Sequence, residues 1–122
     1  MQSRTTLRIA GICGATAVLL GAFGAHGLKN VLSEAQLTIY ETGVRYHAYH
    51  ALALLACGVR GSLRFAPWCL LVGILVFSGS LYALALTDIR WLGAITPLGG
   101  LAFVAGWLLL GWETPRATAT SA

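Results

Sequence analysis

Three histidines, His26, His47 and His50, are the residues of this chain best suited to proton transfer or metal ligation, and two of them stand three residues apart. A helix would put His47 and His50 on neighbouring turns, where an imidazole pair can begin a metal site. Stable sites usually need further ligands, and His26 is the only other imidazole. Around the pair lie Glu41 and Arg45 at i,i+4, and Tyr46 and His50 at the same spacing, the latter sharing a face with Ala53. A tuned His50 could carry a proton or hold a ligand. The structural alternative is an imidazole satisfied by a neighbouring hydroxyl inside a bundle. Farther along, Ser78, Ser80, Tyr82 and Thr96 supply hydroxyls within otherwise apolar surroundings. A paired-carboxylate site, HExxH, a nucleophile elbow and a phosphate loop are all missing, so no enzymatic chemistry, metal or cofactor is assigned. Cys13, Cys57 and Cys69 lack CxxC spacing and sit in or beside apolar runs, as small buried hydrophobes do.

The elements that position these residues are membrane helices. Of 122 residues, 57% are hydrophobic and 10% charged, far below the usual charged fraction of about 25%. Mean hydropathy is +0.77. Since a bilayer core of roughly 30 Å needs about 20 apolar residues per helix, the length allows at most four spans, predicted at 7–28, 44–61, 66–86 and 91–112. One all-α membrane domain, a four-helix transmembrane bundle, accounts for the chain, with a polar tail over 113–122 read as frayed. A signal peptide also begins with basic residues and an apolar run, but the first run reaches spanning length.

Residues 31–45 are the most polar internal stretch, with Ser33 and Gln36 at capping-box spacing, and predict a short interfacial helix between spans one and two. Arg45 and Arg60 lie only about 22 Å apart along a helix, so both snorkel outward or Arg45 is sheltered by protein. The net charge of +4 comes from basic residues scattered at the ends of apolar runs, which marks orientation rather than nucleic-acid binding. Arg4, Arg8, Arg60, Arg64 and Arg116 fall on one side; Lys29, Arg45 and Arg90 fall on the other. That bias puts both termini in the cytoplasm. Trp68, Trp91 and Trp112 stand at span ends, as an aromatic belt requires.

Two stripes of small residues predict close helix packing: Gly14, Ala17, Gly21, Gly24, Ala25 and Leu28 in the first span, and Gly93, Pro97, Gly100, Val104, Trp107 and Gly111 in the fourth. Pro97 starts the fourth helix late or kinks it, and Thr96 is placed to cap it. In the predicted orientation His26, Glu41, Arg45, Tyr46, His50, Ser78, Ser80, Tyr82 and Thr96 all lie toward the outer half of the membrane. Polar groups at one depth in hydrocarbon imply a shared hydrogen-bonded network or a wet cavity, and they form the candidate binding cluster.

Four stretches carry a resemblance: Leu20-Gly-Ala-Phe-Gly-Ala-His-Gly-Leu28, Tyr40-Glu-Thr-Gly-Val-Arg-Tyr46 continuing to His50, Phe77-Ser-Gly-Ser-Leu-Tyr82, and Thr96-Pro-Leu-Gly-Gly100. In this order the chain resembles the small membrane proteins of domain-of-unknown-function family 423, found in bacteria and eukaryotes. The resemblance implies a four-helix membrane fold with a retained first helix, and it supplies no reaction and no site residues. The expected location is the bacterial cytoplasmic membrane. A non-enzymatic accessory or scaffold role in a homo-oligomer or larger membrane complex is expected first, with a small transporter or proton or ion conductor using the outer polar cluster as the alternative.

Overall fold

Each helix begins and ends for a local reason. In the computed structural model, which describes residues 1–117, α1 covers Ser3–Phe23 and continues through a wider π turn, Gly24–Leu28. Ser33 then opens α2, Glu34–Arg60: its hydroxyl accepts from the Gln36 N–H while its own N–H donates to the Gln36 side chain. This reciprocal pair is the capping box that the spacing predicted. Gly61, at φ 133°, ends α2 in a backbone conformation that side-chain-bearing residues avoid. Next, α3 (Ala66–Gly73), a π turn (Ile74–Ser78) and α4 (Gly79–Thr87) run as one rod, closed by Asp88 in the left-handed conformation. A 3₁₀ turn, Arg90–Ala94, leads into α5, Thr96–Trp112, with Pro97 in the first turn where its missing N–H is harmless.

Three of these rods are long and apolar enough to cross a membrane: Ser3–Leu28, Ala66–Thr87 and Arg90–Trp112, with mean hydropathies of 1.7, 2.3 and 1.7. The fourth, α2, has 27 residues and a length of about 40 Å, but Arg45, His47 and His50 lower its hydropathy. The separate interfacial helix expected over 31–45 is corrected here: α2 runs unbroken from Glu34 to Arg60. Nothing within it stops a helix, and Gly43, the one weak helix former near the expected junction, is buried against Tyr82 and Leu81.

The buried face of α2 includes Tyr40, Gly43, His47, His50, Leu54 and Cys57, a regular alternation of three and four residues that keeps one seam turned inward. Against this helix pack α1 and the α3–α4 rod, and α5 lies mainly on the rod. The small stripe of α1 is confirmed in part, since Ala17, Gly24 and Leu28 are buried while Ala25 is exposed and Gly14 faces open space. On α5 the expected stripe is wrong by about one residue: Gly99, Phe103 and Gly106 are the buried positions. Glycines occur on more than one face of this helix, and periodicity alone does not choose between them. Cys13 and Cys57 are buried free thiols, as expected of small hydrophobes.

One end of the bundle gathers both ends of the described chain. Ser3 Oγ donates to the Gly58 carbonyl at 2.5 Å, the Arg116 N–H donates to the Ser62 carbonyl at 2.9 Å, and Arg60 reaches the Leu110 carbonyl. The Glu113 carboxylate accepts from the N–H groups of Phe65 and Ala66 at 2.6 and 3.0 Å. The first turn of α3 is thus capped by a residue 48 positions away from Phe65. Residues 113–117 of the tail expected to fray include the docked Glu113 and Arg116, and residues 118–122 lie outside the described residues. Glu113→Ala is expected to strip two N–H groups of their acceptor and lower stability by about 1 kcal/mol. Thermal unfolding in detergent measures this, with Glu113→Gln, which keeps one acceptor oxygen, falling between the two.

Candidate functional site

The polar side chains within the helices meet in pairs across helix seams. On α2, His47 is held from two sides: its Nε2 lies 3.2 Å from Thr16 Oγ1 on α1 and its Nδ1 lies 2.9 Å from the Tyr82 hydroxyl on α4. Thr16 Oγ1 also sits 2.9 Å from the Ile12 carbonyl and 3.0 Å from that of Cys13, where its proton is used. The donor inventory then assigns the His47 proton to Nε2, donating to Thr16, and leaves Nδ1 to accept from Tyr82. Tyr82 reaches this position because Gly43, one turn before His47, carries no Cβ; a Cβ there would stand 2.9 Å from the Tyr82 ring. Tyr40 packs beside it, with ring centroids 5.3 Å apart, and donates to the Leu20 carbonyl at 2.5 Å.

His50 lies one turn deeper and is saturated differently. Trp107 Nε1 on α5 is 3.0 Å from His50 Nε2, and the indole can only donate. Nε2 therefore accepts, and Nδ1–H donates to the Tyr46 carbonyl at 2.6 Å. This fixes a neutral imidazole with both nitrogens engaged, its ring stacked on Phe103 at 3.4 Å and 12°. Protonating Nε2 would expel the Trp107 donor. Among the described residues no group of three metal-ligating side chains comes together.

The hydroxyls of the α3–α4 rod are used in the same way. Ser78, at the end of the π turn, donates to the Gly43 carbonyl at 2.8 Å, and Ser80 Oγ meets Thr96 Oγ1 at 2.6 Å. Thr96 spends its hydroxyl on this contact, and no side-chain hydrogen bond caps α5. Among the described residues, no buried side-chain nitrogen or oxygen lacks a partner.

The expected single cluster therefore resolves into separate seams. His50, Ser78, Ser80, Tyr82 and Thr96 take part in them. Tyr46 contributes its carbonyl and a ring 4.7 Å from that of Phe77, although 38% of its surface is exposed. His26, Glu41 and Arg45 are exposed and enter none of these hydrogen bonds. Arg45 is thus not sheltered by the bundle. Sequence reading gave no site role to Thr16 or Trp107 and treated His47 only as a potential metal ligand. The available signals were a lone threonine inside an apolar run and a tryptophan set inside the fourth run, five residues before its end at Trp112. Tyr82→Phe and His47→Ala are expected to be non-additive by about 0.6 kcal/mol in a double-mutant cycle of unfolding, the usual size of a hydrogen bond between membrane helices.

With these contacts defined, comparison with other proteins places the chain. The family model described as "Protein of unknown function (DUF423)" matches residues 20–100. The chain belongs to the DUF423 family. Its four motifs all fall inside the matched region, as do His47, His50, Ser78, Ser80, Tyr82 and Thr96, whereas Thr16, Phe103 and Trp107 lie outside it. Similar DUF423 relatives include a UPF0382 membrane protein of Staphylococcus haemolyticus, 50% identical over 81% of this chain and 85% of the relative. The UPF0382 membrane protein YwdK of Bacillus subtilis is 48% identical over 77% of this chain and 82% of its own length. The UPF0382 inner membrane protein YgdD of Escherichia coli K12 is 41% identical over 90% and 88% respectively. No solved structure shows a significant match. This DUF423 chain is thus an all-helical membrane protein, as its composition predicted, and the family description attaches no activity to it.

Proposed function

We propose that this protein crosses the cytoplasmic membrane four times, with both termini and the 61–65 connection on the cytoplasmic side, and serves as a non-enzymatic accessory or scaffold component of a homo-oligomer or larger membrane assembly. The observation that carries this reading is that each of the buried polar side chains His47, His50, Ser78 and Ser80 finds a hydrogen-bond partner on a neighbouring helix. His47 and His50 are 5% and 4% exposed, so α2 keeps its imidazoles away from the lipid. A helix of modest hydropathy can cross a bilayer when its polar groups face protein partners. Hydrogen bonds spent between helices stabilise an arrangement; a conducting path would instead leave such groups facing water. The cytoplasmic location is supported by the inner-membrane designation of the Escherichia coli relative. For orientation the support is the basic bias, with Arg4, Arg60, Arg64 and Arg116 at the end where the termini meet.

Native mass spectrometry after mild-detergent extraction, together with solute and proton flux in liposomes, tests the role. A defined assembly and no flux above that of empty liposomes are expected. A monomer without partners, or flux abolished by His50→Ala in a variant that still folds, would replace the scaffold role with a conducting one.

A further inference from the structure

At the end of the bundle where the termini meet, a basic pocket and an apolar groove lie side by side, with Leu7 lining both. The pocket, about 880 Å³, is walled by Arg4, Ser62 and Arg116 and, among the described residues, by no acidic side chain. The neighbouring carboxylate, Glu113, is occupied by the first N–H groups of α3. The groove, about 490 Å³, follows the outer seam between α1 and α2, from Leu7 and Leu55 inward to Val18 and Ala48. Its α1 wall lacks bulk: a Cβ built at Gly11 or Gly14 would meet nothing within 4 Å. From Leu7 to Val18 there are eleven helical steps of about 1.5 Å, or roughly 16 Å. One leaflet is half of a hydrocarbon core of about 30 Å, so the groove is as long as one acyl chain is deep.

We propose that pocket and groove together hold one anionic glycerophospholipid, its phosphate between Arg4 and Arg116 and one acyl chain against Gly11 and Gly14. Guanidinium groups match phosphate oxygens in geometry and charge, and basic pockets at the cytoplasmic ends of membrane helices suit anionic headgroups. An apolar slot of leaflet length selects a lipid over a free anion, because only a lipid fills both parts. The site rests on the membrane-spanning reading, and a flux result leaves it untouched.

The test is native mass spectrometry of the full chain in mild detergent, titrated with phosphatidylglycerol and with phosphatidylcholine of the same acyl composition. Phosphatidylglycerol is expected to be retained at about tenfold lower concentration, and the double variant Arg4→Gln/Arg116→Gln to lose that preference. Gly14→Leu, growing into open groove, is expected to weaken retention of both lipids while its unfolding midpoint in lipid-free micelles stays at or above that of the parent. Gly11→Leu fills the same groove about one turn earlier and decides the matter if Gly14→Leu lowers that midpoint. Equal retention of the two lipids by the parent chain overturns the proposal, as does unchanged retention after the groove is filled. Inorganic phosphate that stabilises as well as phosphatidylglycerol would reduce the site to an anion pocket. A dimer turned to monomer by Gly14→Leu would assign the groove to a second copy of the chain.

Discussion

Gly99→Leu is expected to cause the largest loss of stability of any single substitution in this protein, about 3 kcal/mol or more. A Cβ at position 99 would stand 2.7 Å from both Cα and Cβ of Phe77. The obstacle is therefore the main chain of the π turn in the opposing rod, which has no rotamer by which to swing aside. Gly100, one residue on, meets only the Phe77 ring at 3.8 Å. Gly100→Leu is accordingly expected to be close to neutral, with the gain of about 1 kcal/mol in helix propensity available to it. Gly73 falls between them, since a Cβ there meets the side chain of Phe103 rather than a main chain, although that ring is itself held against His50. Thermal unfolding of the three variants in one detergent checks the order. Equal midpoints for the leucines at 99 and 100 would mean that α5 does not present this face to the rod.

His50→Ala is expected to rank second, at about 3 kcal/mol. The substitution removes a ring stacked 3.4 Å from Phe103 and leaves the Trp107 N–H without its acceptor. Trp107→Phe deletes the hydrogen bond but keeps the imidazole and most of the aromatic packing, so its cost is expected near 0.6 kcal/mol. His50→Gln, which retains an acceptor at a similar reach, is expected to lie between them. A loss for His50→Ala no larger than that for Trp107→Phe would show that the stacking contributes little. Because both imidazole nitrogens are engaged in the neutral ring, the effect is expected in stability and not in proton movement. The same purified variants serve for the flux measurement.

The helices themselves were legible in the sequence because their causes are local. Apolar runs of spanning length, the Ser33–Gln36 capping box, Pro97 in a first turn and the polar residues at span ends each act within a few residues. Membership of the family was legible too, in four ordered motifs inside residues 20–100. The polar cluster was legible only as composition. Helical spacing paired Tyr46 with His50, and the two rings do stack, 6.0 Å apart at 11°, but spacing did not show that the buried seam of α2 runs through Tyr40, Gly43, His47 and His50.

What the sequence determined by itself, then, is the apolar runs of the first, third and fourth rods, the membrane character of the chain and its charge bias, whereas the continuity of α2 from Glu34 to Arg60 emerged only in the structure. Tertiary structure alone decided that Gly99 rather than Gly100 meets the rod, that His47 pairs with Thr16 and Tyr82, that Trp107 donates to His50, and that Glu113 closes the start of α3. It also set the basic pocket beside the groove, with Leu7 lining both. The reason is rotational. Hydrophobicity and capping act along one helix, whereas the angle at which each helix presents itself to its neighbours is set by all the interhelical contacts together, and no single segment contains that information.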